Sequence, residues 1–221
     1  MGQVVWTTIA LAGGTTIILL ILAAPLGWWL ARPSGWWKEA VAAVVALPIV
    51  LPPTVLGFYL LVALGPDSLL MAPLHAFGVR TLAFTFTGLL IGSLVYSLPF
   101  AVQPLRSAFE AVGARPLEAA ASLRAGPWDS FFNVSLPLAR RGFVTAAVLV
   151  FAHTLGEFGV VLMIGGAIPG RTEVLSIRIW REVEALQFPE AHRLSAGLAA
   201  FAFAALLTLL LLERRSARRR P

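Results

Sequence analysis

Val4 to Leu30 reads VVWTTIALAGGTTIILLILAAPLGWWL, a run without one charged residue. A membrane-spanning helix needs about 20 apolar residues, so this stretch crosses a bilayer with length to spare. It also exceeds the apolar run of about 15 residues usual in a cleavable signal, and Met1-Gly2-Gln3 carries no basic start, so the segment is expected to stay in the mature chain. Four further stretches share its character: Ala40 to Leu64, Leu82 to Leu105, Gly142 to Ile168 and Leu194 to Leu212. Only the fourth of the five contains an acidic residue, Glu157. The expected fold is an all-α integral membrane protein, one domain over 1–221, with five transmembrane helices. A sixth is added only if Ser68 to Gly78, read here as an external interfacial segment, re-enters the membrane; Pro73 interrupts it and it is too short to span.

Composition agrees. The chain is 58% hydrophobic and 13% charged, with a mean hydropathy of +0.84. A soluble domain is about 45–50% apolar and roughly 25% charged, so this one lacks the polar surface of a water-soluble enzyme. It has no cysteine, which excludes a disulfide scaffold, a thiolate metal site and a cysteine nucleophile. Its single lysine, Lys38, follows Trp37, so it cannot form the Gly-Lys pair of a phosphate loop. His75, His153 and His192 are scattered without ligand spacing, and no GxSxG elbow is present. No metal, no cofactor and no catalytic residue is expected, and any work done must draw on a partner or an ion gradient.

The formal charge of +6 is unevenly spread. Arg32, Lys38, five arginines between 106 and 141 and five between 214 and 220 fall on one side of a five-span arrangement. Arg80, Arg171, Arg178, Arg181 and Arg193 fall on the other, balanced by Asp67, Glu173, Glu182, Glu184 and Glu190. By the positive-inside rule the C-terminus is cytoplasmic and the N-terminus outside. Trp28, Trp29, Trp36 and Trp37 bracket the first inner loop as an aromatic belt. The basic balance thus reports orientation rather than nucleic acid, and the tail over 213–221 reads as a topology anchor with attraction to anionic lipid.

Residues 106–141 form a cytoplasmic loop longer than a plain connector of about 2 to 8 residues. Leu105, Ala108, Phe109 and Val112 make an apolar face, and Arg106 pairs with Glu110 at i, i+4. Gly113 and Pro116 should end that helix, with Pro116 starting a second at Leu117 and Glu118 in its first turn. Gly126-Pro127 should end the second, leaving one short turn over Trp128 to Val134 before Leu136-Pro137. From residues alone the loop is either an amphipathic hairpin on the membrane face or a docking surface presenting Leu123, Trp128, Phe131 and Phe132 to a groove on a soluble partner.

Glu118-Ala119-Ala120 followed by Val134-Ser135-Leu136-Pro137 resembles the EAA loop of ATP-binding cassette importer permeases: EAA, three residues, Gly, nine residues, Ile, any residue, Leu-Pro. Val134 stands for Ile, Arg124 occupies the Gly position, and Gly126 comes two residues later. In that position Arg124 could pair with an acidic residue of the partner. The resemblance implies a type I importer permease fold in which this loop is the coupling helix, seated in a cleft of an ATPase subunit. Glu118, Ala119, Ala120, Arg124, Gly126, Trp128, Leu136 and Pro137 are then the ATPase-coupling residues. It further implies a homodimer of permease, two ATP-binding subunits that hold the ATP, an extracytoplasmic binding protein, and a place in the bacterial cytoplasmic (inner) membrane.

The likeness extends over nearly the whole chain. Pro48 to Gly57, PIVLPPTVLG, and Leu155 to Gly159, LGEFG, leading to Ile168 to Glu173, IPGRTE, resemble the molybdate branch of the oxyanion permeases, with sulfate, thiosulfate and tungstate permeases as neighbours. Independently of that likeness, Pro52 and Pro53 sit mid-span, where proline frees backbone carbonyls that must find partners in protein or water. Glu157 lies roughly 22 Å into its span at about 1.5 Å per residue, and intramembrane ionisable groups mark function by default. Pro52, Pro53, Thr54, Ser97 and Glu157 are the pore and gate candidates. A carboxylate is an odd lining for an anion path, so Glu157 is expected to act as a gate or helix-packing element, with selectivity left to the binding protein. Outside, Leu175, Ile179, Val183 and Leu186 form a stripe beside Trp180, and Arg171 and Arg178 are candidates for contact with the binding protein. The competing class, an ion-gradient carrier, would need internal repeats and more intramembrane charge.

Overall fold

The structure, a computed structural model, describes residues 1–32 and 35–217. It is all-helical among them. Helix α1 (Gly2–Leu30) is followed by α2 (Trp36–Val50), α3 (Pro53–Ala63), a short α4 (Ala72–His75) and the long α5 (Phe86–Glu110). Then come α6 (Ala114–Ser122), α7 (Pro127–Asp129), a π-helical segment (Ser130–Ser135), α8 (Leu136–Leu138), α9 (Arg140–Gly156), α10 (Gly159–Gly165), α11 (Leu175–Glu184) and α12 (Phe188–Ala217). The side chains of the basic tail expected over 213–221 lie outside the described residues.

Three helices, α1, α5 and α12, are each long and apolar enough to cross a membrane. Two further crossings require bent pairs: α2 with α3, at 110°, and Pro127–Leu138 with α9, at 71°. Two of the expected straight spans are broken, the first at the 110° bend and the other at a separate point between α9 and α10. In Ala40 to Leu64 the chain turns at Leu51 and Pro52, both extended at ψ near 137 and 134. A proline forces its predecessor out of the α region and donates no N–H, and here two follow in succession. Gly142 to Ile168 breaks at Glu157 and Phe158, where ψ of Glu157 is 129. The carbonyl freed there accepts a hydrogen bond from the Ser176 hydroxyl of α11 at 2.5 Å, which answers the partner requirement of a broken helix.

The core runs between α1, α5 and α9. Leu19, Ala23, Ala101, Leu105, Ala146 and Val150 are all buried in it. Small residues allow the close approach: a Cβ on Gly27 would sit 3.1 Å from that of Leu105, and Gly142 lies directly on Ala108. Membrane helices gain little from apolar burial against lipid, so such close backbone contact carries their association. Helix α10 is wedged between α3 and α5, with Val160 and Ile164 buried against Leu56, Leu60, Leu82 and Ile91.

The contacts sort the molecule into two ends. At one, Gln3 Nε2 donates to Gly170 O at 2.9 Å, and the Leu175 amide donates to Thr8 Oγ1 at 2.8 Å. Thr172 and Glu173 of the IPGRTE turn are buried there, and Thr172 Oγ1 donates to Gly165 O at 2.6 Å. At the other end the Trp28 indole donates to Ser135 Oγ at 3.1 Å. Lys38 Nζ donates to the carbonyls of Trp29, at 2.8 Å, and Arg32, at 3.2 Å, closing the C-terminus of α1. Of the described basic residues, Arg32 and Lys38 therefore belong to one end and Arg178 and Arg181 to the other.

Candidate functional site

The polar loop is a folded unit. Helix α5 continues to Glu110, so the connector proper begins at Ala111. Gly113 at φ +72 reverses the chain, and α6 begins at Ala114 rather than at Leu117. Glu118 consequently lies beyond the first turn, a correction to the expected start: a positive φ at Gly113 sets the boundary, and proline is tolerated inside the first turn. Helix α6 ends as a Schellman motif, with the Ala125 amide on Ala120 O at 3.0 Å and the Arg124 amide on Ala121 O at 2.9 Å. Arg124 sits in the left-handed region at φ +63. This is the conformation for which glycine is preferred, so the Gly position of the motif keeps its backbone shape with an arginine in it.

From Pro127 the chain stays helical to Leu138, with the π segment in its middle; Leu136-Pro137 does not interrupt it. Leu123 is 85% exposed, Trp128 65% and Phe132 56%, and Glu118, Ala119, Arg124, Gly126 and Pro137 are exposed beside them. Leu136 is half-buried and Ala120 buried. Phe131 corrects the expected set: it is 4% exposed, with its ring 4.9 Å from that of Trp28 and 6.0 Å from that of Phe109. Its ring fastens the loop to the bundle, and Leu123, Trp128 and Phe132 are the members of the expected set that stay exposed. A cavity of about 280 Å³ between Trp28, Arg32, Glu110, Gly113 and Leu117 separates the start of α6 from the ends of α1 and α5.

The second site is built where the two broken helices meet. Pro53 and Thr54 of α3, Tyr96 of α5, His153 and Gly156 of α9, and Gly159 of α10 line an open cavity of about 590 Å³. Pro52 is exposed but outside that lining. Glu157 contributes to the wall, yet its carboxylate is wholly buried. Its Oε2 accepts from Ser93 at 2.5 Å and its Oε1 from Ser97 at 2.6 Å. His153 Nδ1 stands 3.5 Å from Oε1 and 3.0 Å from Ser97 Oγ. The structure therefore brings Ser97 and Glu157 together, and adds Ser93 and His153. The i, i+4 spacing of His153 and Glu157, and of Ser93 and Ser97, was the sequence signal for both.

At the opposite end from the loop, Ile177, not the stripe of Leu175, Ile179, Val183 and Leu186, is the buried anchor of α11; Val183 and Leu186 are exposed. The Ser176 and Thr8 hydrogen bonds fix the helix's rotation. Arg178 is engaged by Glu182 at 2.6 Å and lies 3.9 Å from Glu173, which Arg181 also holds at 2.5 Å. Arg171 is exposed.

The sequence profile of the binding-protein-dependent transport system inner membrane components matches residues 23–214. The chain belongs to that family. Among relatives of this permease, a molybdenum transport system permease protein of Azotobacter vinelandii is 56% identical over 202 residues, 91% of this chain and 89% of its own. The corresponding protein of Escherichia coli K12 is 34% identical over 174 residues, 77% of this chain and 76% of its own. A sulfate transport system permease protein of the same bacterium is 29% identical over 194 residues, 88% of this chain and 70% of its own. The fold matches that of a bacterial alginate ABC transporter with a TM-score of 0.73 at 17% identity, covering 99% of this chain and 79% of that one. It matches the MetNI methionine ABC transporter with a TM-score of 0.70 at 19% identity, covering 97% and 95%. The permease thus has the all-helical fold of ABC importer membrane subunits.

Proposed function

We propose that this permease carries molybdate inward across the bacterial cytoplasmic membrane as a homodimer, driven by ATP hydrolysed in two partner subunits and supplied by an extracytoplasmic binding protein. The observation that carries the coupling half of this reading is the exposed face of Leu123, Trp128 and Phe132 beside Glu118 and Arg124. These apolar side chains are exposed on a segment fastened to the bundle through Phe131, which is what a groove on a soluble ATPase requires. Glu118, Ala119, Ala120, Arg124, Gly126, Trp128, Leu136 and Pro137 form the coupling segment, and Arg124 faces an acidic residue of the ATPase. The N-terminus lies outside and the C-terminus in the cytoplasm.

The molybdate half rests on the relatives and on the PIVLPPTVLG, LGEFG and IPGRTE segments. Pro52, Pro53 and Thr54 shape the translocation path where α2 and α3 part, and Ser97 and Glu157 latch the broken helix of α9 and α10. Arg171 contacts the binding protein. Molybdate-, tungstate- and sulfate-loaded binding proteins, compared as stimulators of ATP hydrolysis by the reconstituted transporter, test the reading. Molybdate is expected to stimulate most, and preferential stimulation by sulfate would overturn the choice of anion.

A further inference from the structure

Beside Tyr96, it is His153 rather than Glu157 whose ionisable side chain is open to the cavity. Its side chain is 20% exposed, whereas that of Glu157 is fully covered. The ring is stacked on Phe100, with centroids 4.0 Å apart, and packed against Tyr96 at 4.7 Å, so its orientation is fixed. Ser97 has a single hydroxyl proton and donates it to Glu157 Oε1 at 2.6 Å. Toward His153, 3.0 Å away, it must then act as acceptor, which places the imidazole proton on Nδ1. Nε2 has no hydrogen-bond partner among the described residues and is the polar ring atom left for the contents of the cavity.

We propose that His153 is an oxyanion contact in the translocation path: its ring, backed through Ser97 by the Glu157 carboxylate, presents Nε2–H to a tetrahedral oxyanion in the cavity. The inference rests on the transport reading above. No lysine or arginine lines this cavity, where the Thr54 and Tyr96 hydroxyls are neutral donors and the His153 ring is the one lining group that can become a cation. With Nδ1 protonated and the ring neutral, Nε2 is an acceptor; a solution proton that enters with the anion, balancing one of its charges, makes it a donor. The ring then lies between two negative groups, the carboxylate reached through Ser97 and the cargo. When the anion leaves, the proton returns to water, and nothing is consumed. Of the titratable groups, Glu157 and Tyr96 face the ring, while α3 and α10 contain none within reach, Tyr59 of α3 being outside the cavity lining. The carboxylate in an anion path is thereby accounted for: it supports a cation-forming ring and is itself hidden from the anion.

His153→Phe keeps an aromatic ring between Tyr96 and Phe100 and removes both nitrogens. In proteoliposomes holding permease, ATPase and binding protein, it is expected to lower molybdate uptake per ATP hydrolysed by about tenfold, the worth of one charge-assisted hydrogen bond. A parallel loss of uptake and of ATP hydrolysis would mark the ring as structural and overturn the proposal, as would unchanged uptake per ATP. Binding is read directly on the wild-type permease–ATPase complex in which the permease alone carries ¹⁵N-histidine, which stands even if the variant fails to assemble. One Nε2 resonance of the three histidines is expected to move with millimolar sodium molybdate and not with sodium chloride of equal ionic strength. A resonance indifferent to molybdate, tungstate and sulfate refutes the site. If no oxyanion-loaded binding protein stimulates the wild-type ATPase, the transport reading fails; if one does while His153 stays silent, this inference alone fails.

Discussion

Arg124 shows how a single residue can keep a motif's geometry while losing its letter. A left-handed backbone costs an L-residue about 1–2 kcal/mol that glycine is spared, so Arg124→Gly should stabilise the α6 turn by about 1 kcal/mol. Thermal unfolding of the purified variant checks this: its midpoint should rise, and an unchanged midpoint would show that the arginine side chain repays the strain in the isolated permease. Ser93 offers the opposite case. Its hydroxyl is one of two that bind the buried Glu157 carboxylate, and Ser93→Ala leaves Oε2 without that donor. Loss of about 1–3 kcal/mol is expected, seen as a lower unfolding midpoint. Glu157→Gln should alter the coupling of ATP hydrolysis to transport more than the choice of anion, and a switch from molybdate to sulfate preference in that variant would contradict the latch.

At the scale of elements, the breaks are where composition and structure diverge. Uncharged length located every helix that crosses the bundle, because hydropathy reports burial in lipid without regard to direction. It was blind to the 110° turn at Pro52 and to the break at Glu157, since both lie inside stretches that are apolar throughout. Pro52 and Pro53 did signal the first. The second depends on a side chain of α5 and a hydroxyl of α11, partners far away in sequence that no local pattern contains. Phe131 illustrates the same limit within the loop: exposed Trp128 and Phe132 and buried Phe131 are neighbours of one chemical type, and only the position of Trp28 separates their roles. Gly159→Ala tests how tightly the broken elements are packed. The new Cβ would fall 2.8 Å from that of Pro53, and overpacking of this kind costs about 1–3 kcal/mol. The variant should unfold at lower temperature than Gly197→Ala, where no atom lies within 4 Å.

For the whole molecule, the separation into two ends makes orientation measurable. The chain contains no cysteine, so single thiols report without background. Leu123→Cys, exposed at the end of α6, should react with an impermeant maleimide in inside-out vesicles only, and Phe77→Cys, exposed near α4, in right-side-out vesicles only. The reverse pattern would invert the proposed orientation. Replacing Glu118 and Trp128 together should abolish co-purification with the ATPase, while a change at exposed Leu186 should leave it intact. The clamp of Lys38 on the carbonyls of Trp29 and Arg32 has a practical corollary for such work. The sole side-chain amine is buried and held over the Trp29 ring, 4.9 Å from its centroid. Succinimidyl esters and other amine-directed crosslinkers should therefore leave the folded side chains unmodified, and mapping of the assembly must rely on carboxylate, arginine or engineered thiol chemistry.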